Sequence, residues 1–171
     1  MSTYNLARIG LMSSFVLVTT FLKVTIFHFG NAACLLSGLL LGPTQGALAA
    51  AIGSFIFDIL NPVYIASAPF TFVFKFIMVF VCGKIAYAHD RNGEDRYYNL
   101  CGAILGSLLY IILRATKALI LNLVFLKMEQ TTALLIVSKG IIVSLMNSTI
   151  AVVASVLLVS MIKSKMRFWE L

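Results

Sequence analysis

Asp58, Lys75, Arg114, Lys117 and Lys139 are ionisable residues set inside long apolar runs. Lysine and arginine present only hydrogen-bond donors, and a carboxylate presents only acceptors. Four cations beside one carboxylate would hold a ligand rich in acceptor atoms or carrying an anion. Helical spacing joins other polar residues to them. Ser67, Thr71 and Lys75 recur at i, i+4 and i+8, and Tyr110, Arg114 and Lys117 at i, i+4 and i+7. Lys139, Val143, Asn147 and Ser155 form a third stripe. A narrow polar line on an apolar helix faces the interior of a bundle. The candidate binding residues are therefore Asp58, Lys75, Tyr110, Arg114, Lys117, Lys139 and Asn147. The competing reading is that each long cation snorkels to the membrane interface and that Asp58 caps or pairs locally.

Catalysis is not indicated. The sequence has no GxxxxGK[ST] loop, so it carries no ATP-binding fingerprint of its own, and it has neither HExxH nor GxSxG. Cys34, Cys82 and Cys101 are odd in number, lie in or beside apolar segments and form no CxxC pair. They read as buried thiols, with no disulfide or metal site. No cofactor is expected. His28 alone is too weak a signal for catalysis or metal binding.

The elements that must position these residues follow from composition. The 171 residues are 61% hydrophobic and 11% charged, and mean hydropathy is +1.02. A soluble domain carries about 25% charged residues. A soluble globular domain, a disordered tail and a nucleic-acid-binding module are thus excluded. Apolar segments fall at 5–22, 31–41, 44–61, 68–88, 100–126 and 133–162. They are long and unbroken, whereas barrel strands alternate apolar and polar residues. A charge at the centre of a bilayer costs about 2.5–3.5 kcal/mol, so the cluster of buried cations needs a functional reason.

The breaks are legible. Gly42-Pro43 separates the second and third segments, because proline cannot continue a helix. Asn61-Pro62 and Ala68-Pro69 bracket the next loop, and 89–96 is the strongly polar stretch. The second segment is too short to cross by itself. It must recruit 27–31 or form a re-entrant hairpin with the third. Arg8 followed by an apolar run resembles a signal peptide, but no small-x-small cleavage site precedes Lys23, so it reads as a first span. Arg8, Lys84, Arg91, Arg96, Lys163, Lys165 and Arg167 lie on one side, and Lys23 and Lys127 on the other. That asymmetry places both termini and the 89–96 loop in the cytoplasm. The net charge of +7 belongs to these loops. Counted from the outer loops, Asp58, Lys75, Lys117 and Lys139 lie roughly 6–12 Å deep, with Arg114 a turn deeper. The pocket therefore opens outward. Phe27, His28, Phe29, Tyr64, Phe70 and Phe72 flank its loops as an aromatic belt.

Small residues punctuate the third segment: Gly42, Gly46, Ala50 and Gly53. Such spacing lets helices approach closely. Gly10 and Ser14 repeat the pattern in the first segment.

In these features the chain resembles the substrate-binding S component of an energy-coupling-factor (ECF) transporter. The resemblance is carried by residues 31–58, a short second helix, a Gly-Pro turn and a small-residue third helix ending in Asp58. Ala68-Pro69, Lys75 and the basic C-terminal residues extend it. It implies a single domain over 1–171: an all-α integral membrane protein, a six-transmembrane-helix bundle with a short second helix. It further implies a plasma-membrane protein that binds a water-soluble vitamin from outside, with the first and third outer loops closing over it. The partners implied are a transmembrane coupling subunit, docked through Gly10 and Ser14 where the family has Ala-xxx-Ala, and two cytoplasmic ATPase subunits. A pyridoxine- or hydroxymethylpyrimidine-like heterocycle ranks first as ligand. Riboflavin or an anionic vitamin such as folate or pantothenate follows. The alternative is a small structural or channel-forming membrane protein without a soluble ligand.

Overall fold

The computed structural model describes residues 3–24, 27–90 and 93–169. Six α-helices follow one another: α1 (Thr3–Phe21), α2 (Gly30–Leu41), α3 (Pro43–Leu60), α4 (Ala68–Ala86), α5 (Arg96–Ile120) and α6 (Gln130–Trp169). A 3-10 turn, Ile65–Ser67, leads into α4, and a π turn, Leu121–Phe125, prolongs α5.

The helix ends have local causes. Gly42 lies at φ 85°, in the left-handed region that favours glycine, and its N–H donates to the Gly38 carbonyl at 3.1 Å. Pro43 then opens α3, where a missing N–H leaves nothing unpaired that a helix start would otherwise pair. Asp95 starts α5, its carboxylate accepting the Tyr97 N–H at 2.9 Å.

Among the described residues, four stretches are long and apolar enough to cross a membrane. They are Pro43–Leu60, Ile65–Ala86, Arg96–Phe125 and Gln130–Ser164, of 18, 22, 30 and 35 residues. This is the make-up of a helical membrane protein. The expected six-transmembrane-helix bundle with a short second helix is not exactly matched: six helices are present among the described residues, but only four are candidate spans, and α1 and α2 fall outside that set. α1 is diluted by Asn5, Arg8, Ser13, Ser14, Thr19 and Thr20. α2 has 12 residues, about 18 Å of a roughly 30 Å hydrocarbon core.

The extension of α2 back over 27–31 does not occur. The backbone of Lys23–Val24 instead pairs antiparallel with Phe27–His28, in register Lys23↔His28 and Val24↔Phe27. β-Branched Val24 favours this extended pairing over a helix. The all-α expectation therefore misses one small hairpin, which caps a helix connection and leaves the helical class unchanged. Of the other loop residues read from sequence, the side chains of Phe27 and His28, and those of Arg91, Lys165 and Arg167, lie outside the described residues.

Lipid supplies no hydrophobic drive between helices, so close contact must hold the bundle. α2 is its centre: nine of its twelve residues are buried, and it packs on α1, α3, α4 and α6. Glycine opens the approaches. A methyl at Gly46 would lie 2.4 Å from the Ser37 carbonyl oxygen, and one at Gly53 2.5 Å from that of Ser13. α5 meets α4 in the same way, through Gly102 and Gly106 against the Cys82 and Met78 carbonyls. Ser37 reinforces the α2–α3 seam by donating to the Gly46 carbonyl at 2.9 Å.

Candidate ligand-binding site

At the end of the bundle away from both termini, all six helices contribute to a cavity of about 290 Å³. Thr20 comes from α1, Gly30 and Asn31 from α2, and Ser54, Phe57 and Asp58 from α3. Thr71 and Lys75 come from α4, Tyr110, Arg114 and Lys117 from α5, and Ser144 and Asn147 from α6.

Lys75 is the residue on which three helices meet. Its side chain is buried. The ammonium donates to Asn31 Oδ1 on α2 and lies 4.4 Å from the centroid of the Tyr110 ring on α5. The ring face is electron-rich and attracts the cation. An ammonium has three donors, so these contacts fix the group without exhausting it.

α5 supplies the next two cations. Arg114 donates through Nη1 to Ser144 Oγ at 3.3 Å, and Ser144 in turn donates to the Gly140 carbonyl at 2.8 Å. One of five guanidinium donors is thereby used. Lys117 Nζ lies over the Phe70 ring, 4.5 Å from its centroid. Asp58, buried near the end of α3, is the carboxylate on the same lining. Asn147 is buried on α6. Phe57 and Tyr64 stack at 6.4 Å on the wall.

Six of the seven residues singled out from sequence thus border one cavity: Asp58, Lys75, Tyr110, Arg114, Lys117 and Asn147. Lys139 does not. It is exposed and absent from the lining. The reason is the pitch of the helix. Lys139 stands about 80° round the helix from Asn147 and about 140° from Ser144, so it falls outside the face that those two share. Val143 of the same stripe is exposed, while Ser155 is buried.

Ser144 takes the place Lys139 was given. Its signal in the sequence was the three-residue step to Asn147. Thr20, Asn31 and Ser54 were also missed as site residues. Serine and threonine in apolar helices commonly bond back to a carbonyl one turn earlier, as Thr20 does to Val16 at 2.6 Å, so their presence alone does not mark a pocket. Of the aromatic belt, Tyr64 lines the cavity and Phe70 carries Lys117, whereas Phe72 packs edge-on against Phe55.

The arrangement offers cationic and amide donors, one carboxylate, several hydroxyls and aromatic faces. It suits a planar, acceptor-rich molecule with hydroxyl groups. Among the described residues there is no group of three or more His, Cys, Asp or Glu that could hold a metal ion. A family model described as "ECF-type riboflavin transporter, S component" matches residues 1–164. Comparison with curated proteins and with solved structures gave no match.

Proposed function

We infer what the cavity holds from the premise that this chain belongs to the ECF-type riboflavin transporter S component family. An S component is the substrate-binding part of a membrane vitamin transporter and not an enzyme. It works with an energy-coupling module of transmembrane and ATPase subunits. A structural or channel-forming protein without a soluble ligand is set aside by that membership.

The proposed ligand is riboflavin. The family description supports it over the pyridoxine- or hydroxymethylpyrimidine-like heterocycle that ranks first on sequence, and over folate or pantothenate. The observation that carries the reading is the meeting of Lys75, Arg114 and Lys117 with the aromatic faces of Phe57, Tyr64 and Tyr110 around one cavity. Riboflavin's fused rings present carbonyl and ring-nitrogen acceptors to cations and a flat face to aromatics. Its polyol chain can donate to Asp58 and accept from lysine. In this reading both termini lie in the cytoplasm. Arg8, Lys84, Arg96 and Lys163 gather at the end opposite the cavity, which supports that orientation.

The test is flavin fluorescence, which aromatic contact quenches. Riboflavin added to sealed, right-side-out vesicles should be quenched without permeabilisation. Pyridoxine or hydroxymethylpyrimidine in hundredfold excess should not restore it. Recovery by either heterocycle would overturn the ligand, and a need for permeabilisation would overturn the orientation.

The proposed partners are one transmembrane coupling subunit and two cytoplasmic ATPase subunits. The docking face is proposed at Gly10 and Ser14. Both are exposed on α1, and a methyl at Gly10 would meet nothing within 4 Å. Ser14 Oγ donates to the Gly10 carbonyl at 3.0 Å, which lowers the polarity of this groove. Leucine at both positions would fill it and hold a partner helix away. Gly10→Leu with Ser14→Leu should keep flavin quenching and lose both uptake and co-purification of the coupling subunit. Uptake at the wild-type rate would remove the docking assignment.

A further inference from the structure

A second cavity, of about 630 Å³, lies at the end of the bundle that carries both termini. Arg8 of α1, Arg96 of α5 and Lys163 of α6 line it, with Glu94 as the acidic member. Lys163 Nζ lies 5.3 Å from the centroid of the Tyr87 ring. Tyr87 donates to the Leu40 carbonyl at 3.0 Å. Burial raises its phenol above the ordinary range, an effect that nearby Arg8 partly offsets, so the hydroxyl stays protonated and keeps that bond.

Two buried acceptors in the lining lack a donor. Asn99 is 2% exposed. Its Nδ2 donates to the Gly93 carbonyl at 2.7 Å. A carbonyl can only accept, so the amide nitrogen must face Gly93 and Oδ1 is the atom left over. That Oδ1 has no hydrogen-bond partner, and neither does Gln45 Oε1. A buried acceptor left unpaired costs roughly 1–3 kcal/mol, and each such group in a native structure calls for an explanation. An anion beside Arg8, Arg96 and Lys163 would bring these acceptors no donor, whereas a molecule that joins negative oxygens to hydroxyl groups can serve both parts of the lining.

We propose that this cavity binds a phosphate ester whose alcohol arm carries free hydroxyls. The phosphate sits among Arg8, Arg96 and Lys163, and the hydroxyls donate to Asn99 Oδ1 and Gln45 Oε1. Two sources share this chemistry: the headgroup of a glycerol-type anionic phospholipid, and soluble glycerol phosphate. Leu40, Leu41 and Val159 on the same wall give an acyl chain an apolar place to start.

The test titrates the full chain, held in neutral detergent, and reads bound lipid by native mass spectrometry. Phosphatidylglycerol should be retained over phosphatidylcholine, which lacks the net charge. It should also be retained over phosphatidylmethanol, which has the charge but no free hydroxyl. Arg8 and Arg96 are exposed, so Arg8→Gln and Arg96→Gln should fold normally. Each should weaken phosphatidylglycerol binding about fivefold, with flavin quenching at the other end unchanged. Gln45→Met should erase the preference over phosphatidylmethanol. Displacement by glycerol phosphate at matching concentrations assigns the soluble source, and its failure to displace assigns the lipid. Equal retention of phosphatidylglycerol and phosphatidylcholine, or wild-type binding by both arginine variants, would overturn the proposal.

Discussion

Lys75→Met should weaken flavin binding by about ten- to hundredfold, the equivalent of a charge-assisted hydrogen bond worth roughly 1.5–3 kcal/mol. Methionine keeps the length of the side chain and removes its donors. Lys75 is held from two sides, by Asn31 and by the Tyr110 ring, so its remaining donors are pre-aimed and little entropy is lost when a ligand accepts from them. Arg114→Met and Lys117→Met should fall in the same range. Lys139→Met should bind within about twofold of wild type, because Lys139 is exposed and outside the lining. Fluorescence titration of the four variants separates the two readings of these cations. Wild-type affinity in Lys75→Met, Arg114→Met and Lys117→Met alike would mean that they serve only to reach the interface.

A second large effect is expected on stability rather than binding. Gly46→Ala adds one methyl group, which would lie 2.4 Å from the Ser37 carbonyl oxygen and 2.6 Å from Gly38 Cα. Both atoms are backbone, so no side chain can swing aside. α2 and α3 must separate, and the Ser37–Gly46 hydrogen bond goes with the seam. Overpacking of this kind costs about 3 kcal/mol or more, which corresponds to roughly a 10 °C fall in Tm for a chain of this size. Gly10→Ala is the matched control. Nothing lies within 4 Å of its added methyl, and alanine favours the helix by up to about 1 kcal/mol. Thermal unfolding followed by circular dichroism should order the three proteins as Gly46→Ala, wild type, Gly10→Ala, from least to most stable. A Gly46→Ala protein that melts with the wild type would show that the α2–α3 contact is looser than this geometry.

What was legible in the sequence depended on how far each pattern had to run. On α5 the polar stripe spans two turns, and over that distance the i, i+4 and i+7 positions stay on one face, while on α4 Thr71 and Lys75 are a single turn apart and both line the cavity. Lys75, Tyr110, Arg114 and Lys117 were therefore placed together from spacing alone. On α6 the stripe was carried for sixteen residues in steps of four, and the drift moved Lys139 to the outside. Gly42-Pro43 marked the α2–α3 turn because both residues have a narrow backbone repertoire. The hairpin pairing Lys23–Val24 with Phe27–His28 left no such mark: two residues per strand are too few for an alternating pattern. Asn31 falls within the stretch that carries the family resemblance, yet nothing in the sequence marks it as the partner of Lys75. No local pattern links residues 44 positions apart.

The four long spans also differ in length. α3 packs on α4, and α5 on α6. At 1.5 Å per residue the first pair reaches ~27 and ~33 Å, and the second ~45 and ~52 Å. A hydrocarbon layer of roughly 30 Å matches the first pair and falls well short of the second. By length alone, α5 and α6 outreach α3 and α4. Standing upright, the protein would thicken the bilayer along the α5–α6 flank; leaning toward that flank, it would shorten those spans at the expense of the α3–α4 side. A difference in helix length of this size would be met by tilt, by local thickening of the bilayer, or by polar helix ends such as Arg96 and Gln130 standing outside the hydrocarbon layer.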